Sequence, residues 1–220
     1  MARQERAIRT RRTILEAAAA VFDERGYTSA TIGEILDRAG VTKGALYFHF
    51  GSKEELALGI FEEQLAISLP PQPSKLQELV DSGLVLARRL RGEPLVRASV
   101  GLALDQGALG LDRTPAFRMW IDQTRRTLAE AKAHGELLPH ADATETAELL
   151  VASFSGVQLM SQLRCQRRDL EHRVVVLFDH MLPGIAVPAV LARLDIATDR
   201  ADRVLAEYEP EPEPVAAEAG

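Results

Sequence analysis

The segment Thr28–Lys53, which reads TSATIGEILDRAGVTKGALYFHFGSK, decides the fold of this chain. It contains Thr31-x-x-Glu34, a capping box in which two side chains satisfy free backbone N–H groups at the start of a helix. Gly40-Val41 then predicts a tight turn, and the stretch TKGALYFHF over Thr42–Phe50 predicts a second short helix. Two helices joined by a glycine-bearing turn predict a helix-turn-helix that reads the major groove of DNA.

The start of the second helix carries groups that suit contact with DNA. Thr42 and the free N–H groups beside it can meet a phosphate at the positive end of the helix, and Lys43 can donate to guanine or phosphate. Gly44 costs about 1 kcal/mol of helix propensity relative to alanine, which close approach of the DNA would explain. Tyr47 and His49 carry polar tips that can bind phosphates.

The other aromatic residues of the segment and the basic residues around it complete this interpretation. Leu46, Phe48 and Phe50 are expected to face the core, because apolar stripes on helices usually do. Further DNA contacts are predicted for Thr31, for Lys53 at the start of the next helix, and for an arginine-rich N-terminal arm that includes Arg3 and Arg6.

The composition excludes several classes of protein. The 220 residues carry a net charge of −6, include one cysteine, Cys165, and contain no run of about 18 apolar residues. An internal disulfide and a membrane span are therefore excluded, and the N-terminus lacks the apolar stretch of a secretory signal. Residues 1–55 hold nine Lys/Arg against eight Asp/Glu, so the acidity lies behind the N-terminal region. We expect a cytoplasmic, nucleoid-associated protein.

The apolar spacing is helical throughout the chain and predicts an all-α fold. Ser52-x-x-Glu55 is a second capping box, and the proline-rich stretch 69–73 interrupts the helical pattern. We expect a three-helix DNA-binding domain over 1–53, a larger helical ligand-binding and dimerisation domain over 54–207, and a disordered acidic tail over 208–220. Helical segments are predicted at roughly 5–25, 74–91, 94–109, 113–134, 142–166, 169–182 and 187–207.

Thr28–Lys53 closely resembles the N-terminal domain of the tetracycline-repressor (TetR) family of one-component regulators. The sequences MARQ at the start and GVTKGALYFHF over residues 40–50 are similar to those of the γ-butyrolactone receptor subfamily. The element PAFRMW over Pro115–Trp120 is similar to that subfamily as well. This resemblance implies a homodimer that binds palindromic double-stranded operator DNA and releases it when a small-molecule effector enters the C-terminal domain.

The predicted effector domain has one tryptophan, Trp120, on a helix whose inner face includes Thr124. Periodicity alone leaves Trp120 as a core residue or a pocket wall, whereas the resemblance favours a wall with one N–H donor for a lipophilic ligand. The resemblance also implies that Gln64 offers a ligand hydrogen bond. Val157 falls where relatives can place a threonine, so a ligand hydrogen bond is expected to be lost there.

The segments 142–166 and 169–182 are apolar beyond one narrow stripe, which fits either a four-helix dimer interface or an ordinary monomeric core. Three functions then compete: a ligand-released repressor, a regulator that responds to an antibiotic or has lost its ligand, and a helical enzyme. The five histidines show no metal-ligand spacing, and no nucleophile is paired with a base. We therefore expect no enzyme activity, no metal and no cofactor.

Overall fold

The computed structural model describes residues 2–65, 69–105 and 111–208, and these residues are helices joined by turns, which confirms the all-α prediction. The helices in chain order are α1 Ala2–Arg25, α2 Ile32–Ala39, α3 Lys43–His49, α4 Lys53–Leu65, α5 Lys75–Gly92, α6 Pro94–Leu104, α7 Thr114–Ala133, α8 Ala143–Cys165, α9 Leu170–Met181, α10 Pro188–Leu191 and α11 Arg200–Tyr208. A 3-10 turn, Leu182–Gly184, lies between α9 and α10.

The helix-turn-helix begins and ends where its capping residues predict. The Thr31 hydroxyl accepts a hydrogen bond from the Glu34 N–H at 3.2 Å, and the Glu34 carboxylate accepts one from the Thr31 N–H at 2.9 Å. That bond from the Thr31 backbone lowers the pKa of Glu34. Gly40 ends α2 with a φ of 64°, which a residue without a side chain adopts freely. Thr42 then caps α3 by accepting from the Ala45 N–H at 3.2 Å.

The second predicted capping box forms with a small change. The Ser52 hydroxyl accepts from the Glu55 N–H at 3.1 Å, as expected for an N-cap. The Glu55 carboxylate, however, accepts from the Gly51 N–H at 2.7 Å, one residue before the position that the motif predicts. Together these two hydrogen bonds define the start of α4.

Two hydrophobic cores organise the described residues. The first contains α1–α4 together with inner residues of α6 and the beginning of α7, among them Ala98, Leu102 and Ala116. The second contains α5, α7, α8, α9 and α11, with part of α6. Trp120 packs against both cores, and α4 places Leu56 and Phe61 in the first core. The helix-turn-helix is therefore mounted directly on the elements that build the C-terminal part.

The prediction of one helix over 187–207 was wrong. The chain forms α10 and α11 with turns between them, because side chains of α5 bind the intervening backbone. Gln77 donates to the Asp195 carbonyl at 3.0 Å and accepts from the Asp195 N–H at 2.8 Å, which replaces helical hydrogen bonds. The fully buried Asp81 then binds Arg200, the first residue of α11, through two contacts of 2.9 and 2.7 Å.

The described N-terminus is helical, whereas most of the predicted C-terminal tail lies outside the described residues. The N-terminal segment is part of α1 from Ala2 onward, so the helix begins a few residues before the predicted position and the arginines of the predicted arm lie on it; their contacts with DNA remain predictions. The predicted tail over 208–220 lies outside the described residues except for Tyr208, where α11 ends.

Candidate DNA-binding surface and ligand cavity

The first turn of α3 is an open surface. Thr42, Lys43 and Gly44 are exposed, and a Cβ atom built on Gly44 would meet no other heavy atom within 4 Å. Packing within the protein therefore does not require glycine at this position. The Lys43 ammonium lies 5.8 Å from the centre of the Tyr47 ring, which places a cation beside an aromatic face at the surface.

Helix geometry divides the remaining residues of α3 between core and surface. Leu46 is fully buried and Phe50 is 3% exposed, as predicted, since the two are about 40° apart around the helix axis. Phe48 is 79% exposed, so its predicted place in the core was wrong. It lies about 160° from Leu46, on the opposite side of the helix, where its ring contacts His49 edge-on at 5.0 Å. Tyr47 is 45% exposed and His49 is half-buried beside this aromatic surface.

Lys53 and Thr31 have structural contacts in addition to their predicted role. The Lys53 ammonium donates to the Ala30 carbonyl at 2.7 Å and lies 4.5 Å from the centre of the Tyr27 ring. Burial lowers the pKa of this lysine. The Thr31 hydroxyl caps α2 and donates to Glu34, although the side chain is exposed. Contacts of Lys53 and Thr31 with phosphates remain predictions.

Arginines of α1 and α2 join the helices of the helix-turn-helix to one another. The Arg11 guanidinium stacks on Phe50 at 5.2 Å and so joins α1 to the end of α3. Arg38 of α2 binds Glu24 of α1 through two hydrogen bonds of 2.7 and 2.8 Å. Arg6 is exposed on the first turns of α1, and the side chain of Arg3 lies outside the described residues.

The C-terminal part contains a cavity of about 490 Å³. Its wall is mostly apolar, with contributions from Leu79, Val100, Phe154 and Phe178 on four different helices. The volume is in the range of pockets that hold small organic ligands. Of the predicted ligand residues, Gln64, Trp120 and Thr124 line this cavity together.

Gln64 and Trp120 form the polar corner of the cavity. Gln64, which is 5% exposed, lies in the last turn of α4, and its Oε1 accepts from the Trp120 indole N–H at 3.1 Å. The Ser99 hydroxyl of α6 donates to the same oxygen at 2.6 Å. One amide therefore joins α4, α6 and α7 at the cavity wall. Trp120 therefore forms part of the cavity wall, and its ring also packs against both cores.

The structure places Val157 beside the residues that line the cavity, and its role at the ligand site remains a prediction. The wall residues of α8 form a stripe that includes Phe154 and Gln158, whereas Val157 lies about a quarter turn away and packs in the second core. Sequence reasoning missed Gln158, which is only 1% exposed. A glutamine four residues from Phe154 in an apolar helix was the available signal.

Large apolar side chains on α8 and α9 are exposed in the single chain. On α8, Leu149, Leu159, Met160 and Leu163 are between 45% and 73% exposed, and they fall within a stripe about 100° wide. Val176 of α9 is 40% exposed. Such a stripe is typical of a surface that another protein covers.

A helix-turn-helix with an open second helix, joined to a helical domain that contains a mostly apolar cavity, is typical of a DNA-binding regulator that responds to a small ligand. The profile of the TetR_N family, described as bacterial regulatory proteins of the tetR family, matches residues 14–60. The A-factor receptor protein of Streptomyces griseus is 42% identical over 226 residues, which cover 100% of this chain and 80% of that protein. The chain belongs to the TetR family and is a transcriptional repressor of that family.

Solved structures agree over nearly the whole chain. The full-length native TylP structure, a TetR regulator from Streptomyces fradiae, is 48% identical with a TM-score of 0.90, covering 96% of this chain and 94% of TylP. A γ-butyrolactone receptor described as an ArpA-like protein is 30% identical with a TM-score of 0.59, covering 92% of this chain and 98% of that one. These relatives are regulators and not enzymes. None of the described helices has the length and hydropathy needed to cross a membrane.

Proposed function

We propose that this protein is a cytoplasmic, nucleoid-associated repressor that binds palindromic operators as a homodimer. A small lipophilic signal of the γ-butyrolactone, butenolide or furan type releases it, and its targets are genes of antibiotic or secondary metabolism. The observation that carries this proposal is the Gln64–Trp120 hydrogen bond, because it joins the cavity wall to α4, whose inner residues lie in the core of the helix-turn-helix. The descriptions of two relatives as receptors support the ligand class.

The DNA contacts are assigned to the exposed surface of α3. The capped start of the helix presents backbone N–H groups and the Thr42 hydroxyl to a phosphate, and Lys43 reaches toward base edges. Gly44 permits the DNA backbone to approach, and Tyr47 and His49 supply further polar groups. A single surface of this size gives little sequence specificity, so two copies must bind two half-sites at a fixed separation.

The dimer is assigned to the exposed apolar stripe of α8 and to α9. Covering Leu149 and Leu163 with the same surface of a second chain would bury the two most exposed large apolar side chains of α8. This arrangement also fixes the spacing of the two recognition helices. A ligand that separates Trp120 from Gln64 would shift α4 relative to α7, and the two heads would no longer match one face of the DNA.

Operator binding is tested with half-sites selected from a random palindromic library and measured by fluorescence anisotropy at several salt concentrations. Lys43→Ala should weaken binding, and the slope of log K against log salt falls by about one if the lysine meets a phosphate. If it reads a base, specificity relaxes at one position instead. Arg193→Ala removes the same charge from an exposed residue near α10 and serves as the control. Equal binding by both variants would contradict the assignment.

Release by ligand is tested with Trp120→Phe, which keeps an aromatic wall and removes the N–H donor to Gln64. We expect normal operator affinity together with a weakened response to butyrolactones, butenolides and furans. Loss of operator binding by the folded variant would show instead that Trp120 acts only as a structural contact between the two cores.

A further inference from the structure

Besides Gln64, the cavity wall contains the side-chain amide of Gln158. Its Oε1 accepts from the Arg167 guanidinium through Nε at 3.2 Å and NH2 at 3.1 Å. A guanidinium only donates hydrogen bonds, so the amide atom that faces it must be the oxygen. The amide nitrogen of Gln158 is thereby left as a donor with no protein partner among the described residues, although the side chain is 1% exposed and lines the cavity.

Arg167 is held in place by an unusual turn after α8. Gln166 and Arg167 both adopt left-handed conformations, with φ of 56° and 61°, and the Arg167 N–H donates to the Ser161 carbonyl at 3.2 Å. This turn directs the arginine back against α8. Burial lowers the pKa of its guanidinium, and the nearby Asp23 charge of α1 opposes that effect. The side chain therefore fixes Gln158 and lies close to the DNA-binding part.

The side-chain amide of Gln64 is oriented in the same way as that of Gln158. The Trp120 indole N–H can only donate, so Oε1 of Gln64 is the atom that faces it, and the Gln64 amide nitrogen is a second donor at the cavity wall. Neither nitrogen is among the fully buried polar atoms that lack a partner, so both are accessible at the cavity, where a ligand acceptor can bind them.

The charged residues in the wall are already neutralised within the described residues. Lys75 binds Glu78 at 2.9 Å and Glu130 at 3.0 Å, and Arg89 binds Glu93 at 2.8 Å. A carboxylate ligand would therefore find no free cation in the described wall, whereas a neutral carbonyl requires only N–H donors.

We infer that Gln158 is a ligand-binding residue positioned by Arg167, and that Gln158 and Gln64 together select a neutral ligand with a carbonyl-type acceptor over a carboxylate. This inference rests on the proposed ligand-responsive function and narrows its ligand class.

The charge preference is tested by titrating the full-length protein with three probes of matched carbon chain, using the fluorescence of its sole tryptophan, Trp120. The probes are γ-decalactone, its ring-opened carboxylate 4-hydroxydecanoate, and 2-hexyltetrahydrofuran, which lacks the carbonyl. The lactone should bind about tenfold more tightly than either of the others. Equal or tighter binding of the carboxylate, or no binding of the lactone, would overturn the inference.

The residue assignment is tested with Gln158→Glu, which can still bind Arg167 but replaces the donor with an acceptor, and with Gln158→Leu. Both should bind the lactone about tenfold more weakly or worse while keeping operator affinity; Gln158→Glu should keep its thermal stability, whereas Gln158→Leu leaves the Arg167 guanidinium without its acceptor and should lower the melting temperature. Gln162→Glu, an exposed change one turn further along α8, is the control. Unchanged lactone affinity in both Gln158 variants would refute the role.

The positioning role of Arg167 is tested with Arg167→Met in two backgrounds, with the exposed Arg168→Met as control. In wild type the change should weaken lactone binding, and in Gln158→Leu it should have no further effect. An equal loss in both backgrounds would show that Arg167 does not act through Gln158. Operator binding is measured separately, so release by the carboxylate alone would overturn this inference and leave the ligand-released repressor standing.

Discussion

Gly44→Ala should have opposite effects on the stability of the free protein and on its affinity for DNA. In the free protein a Cβ at Gly44 meets no heavy atom within 4 Å, so the methyl group fits without strain. Alanine favours a helix over glycine by about 0.5–1 kcal/mol, because glycine loses more backbone freedom on folding. For a chain of this length, that gain corresponds to a rise in melting temperature of roughly 2–4 °C per kcal/mol.

Operator binding should weaken in the same variant. The added methyl lies on the first turn of α3, beside the groups that must come within hydrogen-bond distance of the DNA. Displacing the helix would lengthen the contacts of Thr42 and Lys43 together, and one such contact contributes about 1–3 kcal/mol. A loss of about tenfold to a hundredfold in affinity follows. Differential scanning calorimetry and anisotropy on the selected operator measure the two quantities.

Gly101→Ala is the matched control for this experiment. Gly101 lies in the interior of α6, is exposed, and likewise has no heavy atom within 4 Å of a built Cβ. It should be stabilised by a similar amount and keep wild-type operator affinity. If Gly44→Ala and Gly101→Ala behave alike in DNA binding, close approach of the DNA at Gly44 is refuted.

Three further predictions concern an exposed residue of α3, a buried ion pair and the pH dependence of stability. Phe48→Ala should change the free energy of unfolding by less than about 0.5 kcal/mol, whereas Leu46→Ala should cost about 2–5 kcal/mol in urea unfolding. Asp81→Asn leaves Arg200 without its buried partner and should destabilise the protein by about 3–5 kcal/mol, with the melting temperature as the readout. Burial raises the pKa of Tyr27 to about 12. The neutral phenol therefore contributes its full stabilisation below pH 10, and this contribution is lost as the pH rises toward 12. A comparison with Tyr27→Phe across that range isolates the effect, and identical pH profiles would contradict it.

Local signals predicted the fold because they act over a few residues. The capping box at Thr31 and the glycine at position 40 determine the helix-turn-helix through contacts within four residues, and both appear in the structure. The split of the segment 187–207 depends on Gln77, which is more than a hundred residues away in the chain. Nothing near Asp195 in the sequence signals that its backbone will bind a side chain of α5.

The candidate ligand site could likewise be predicted from the sequence only in part. A lone tryptophan and a glutamine at the end of α4 could be selected from the sequence with the help of a family resemblance. Phe48 was misplaced because a shift of one or two positions along a helix moves a side chain by 100–200° around the axis. The position of Gln158 in an apolar helix is a weak signal in the sequence, and its contact with Arg167 could not be predicted because it depends on two consecutive left-handed residues.

The position of the polar groups explains how one ligand could affect a surface that lies in another part of the molecule. Gln64 belongs to α4, Ser99 to α6 and Trp120 to α7, and all three of these helices also place residues in the N-terminal core. We propose that a ligand carbonyl that draws the Gln64 nitrogen toward the cavity also shifts the Trp120 and Ser99 hydrogen bonds, because these two bonds end on the oxygen of the same amide. The helices that respond are those on which the helix-turn-helix is mounted. No separate relay is then required, since occupancy of the cavity and orientation of the head depend on the same side chains.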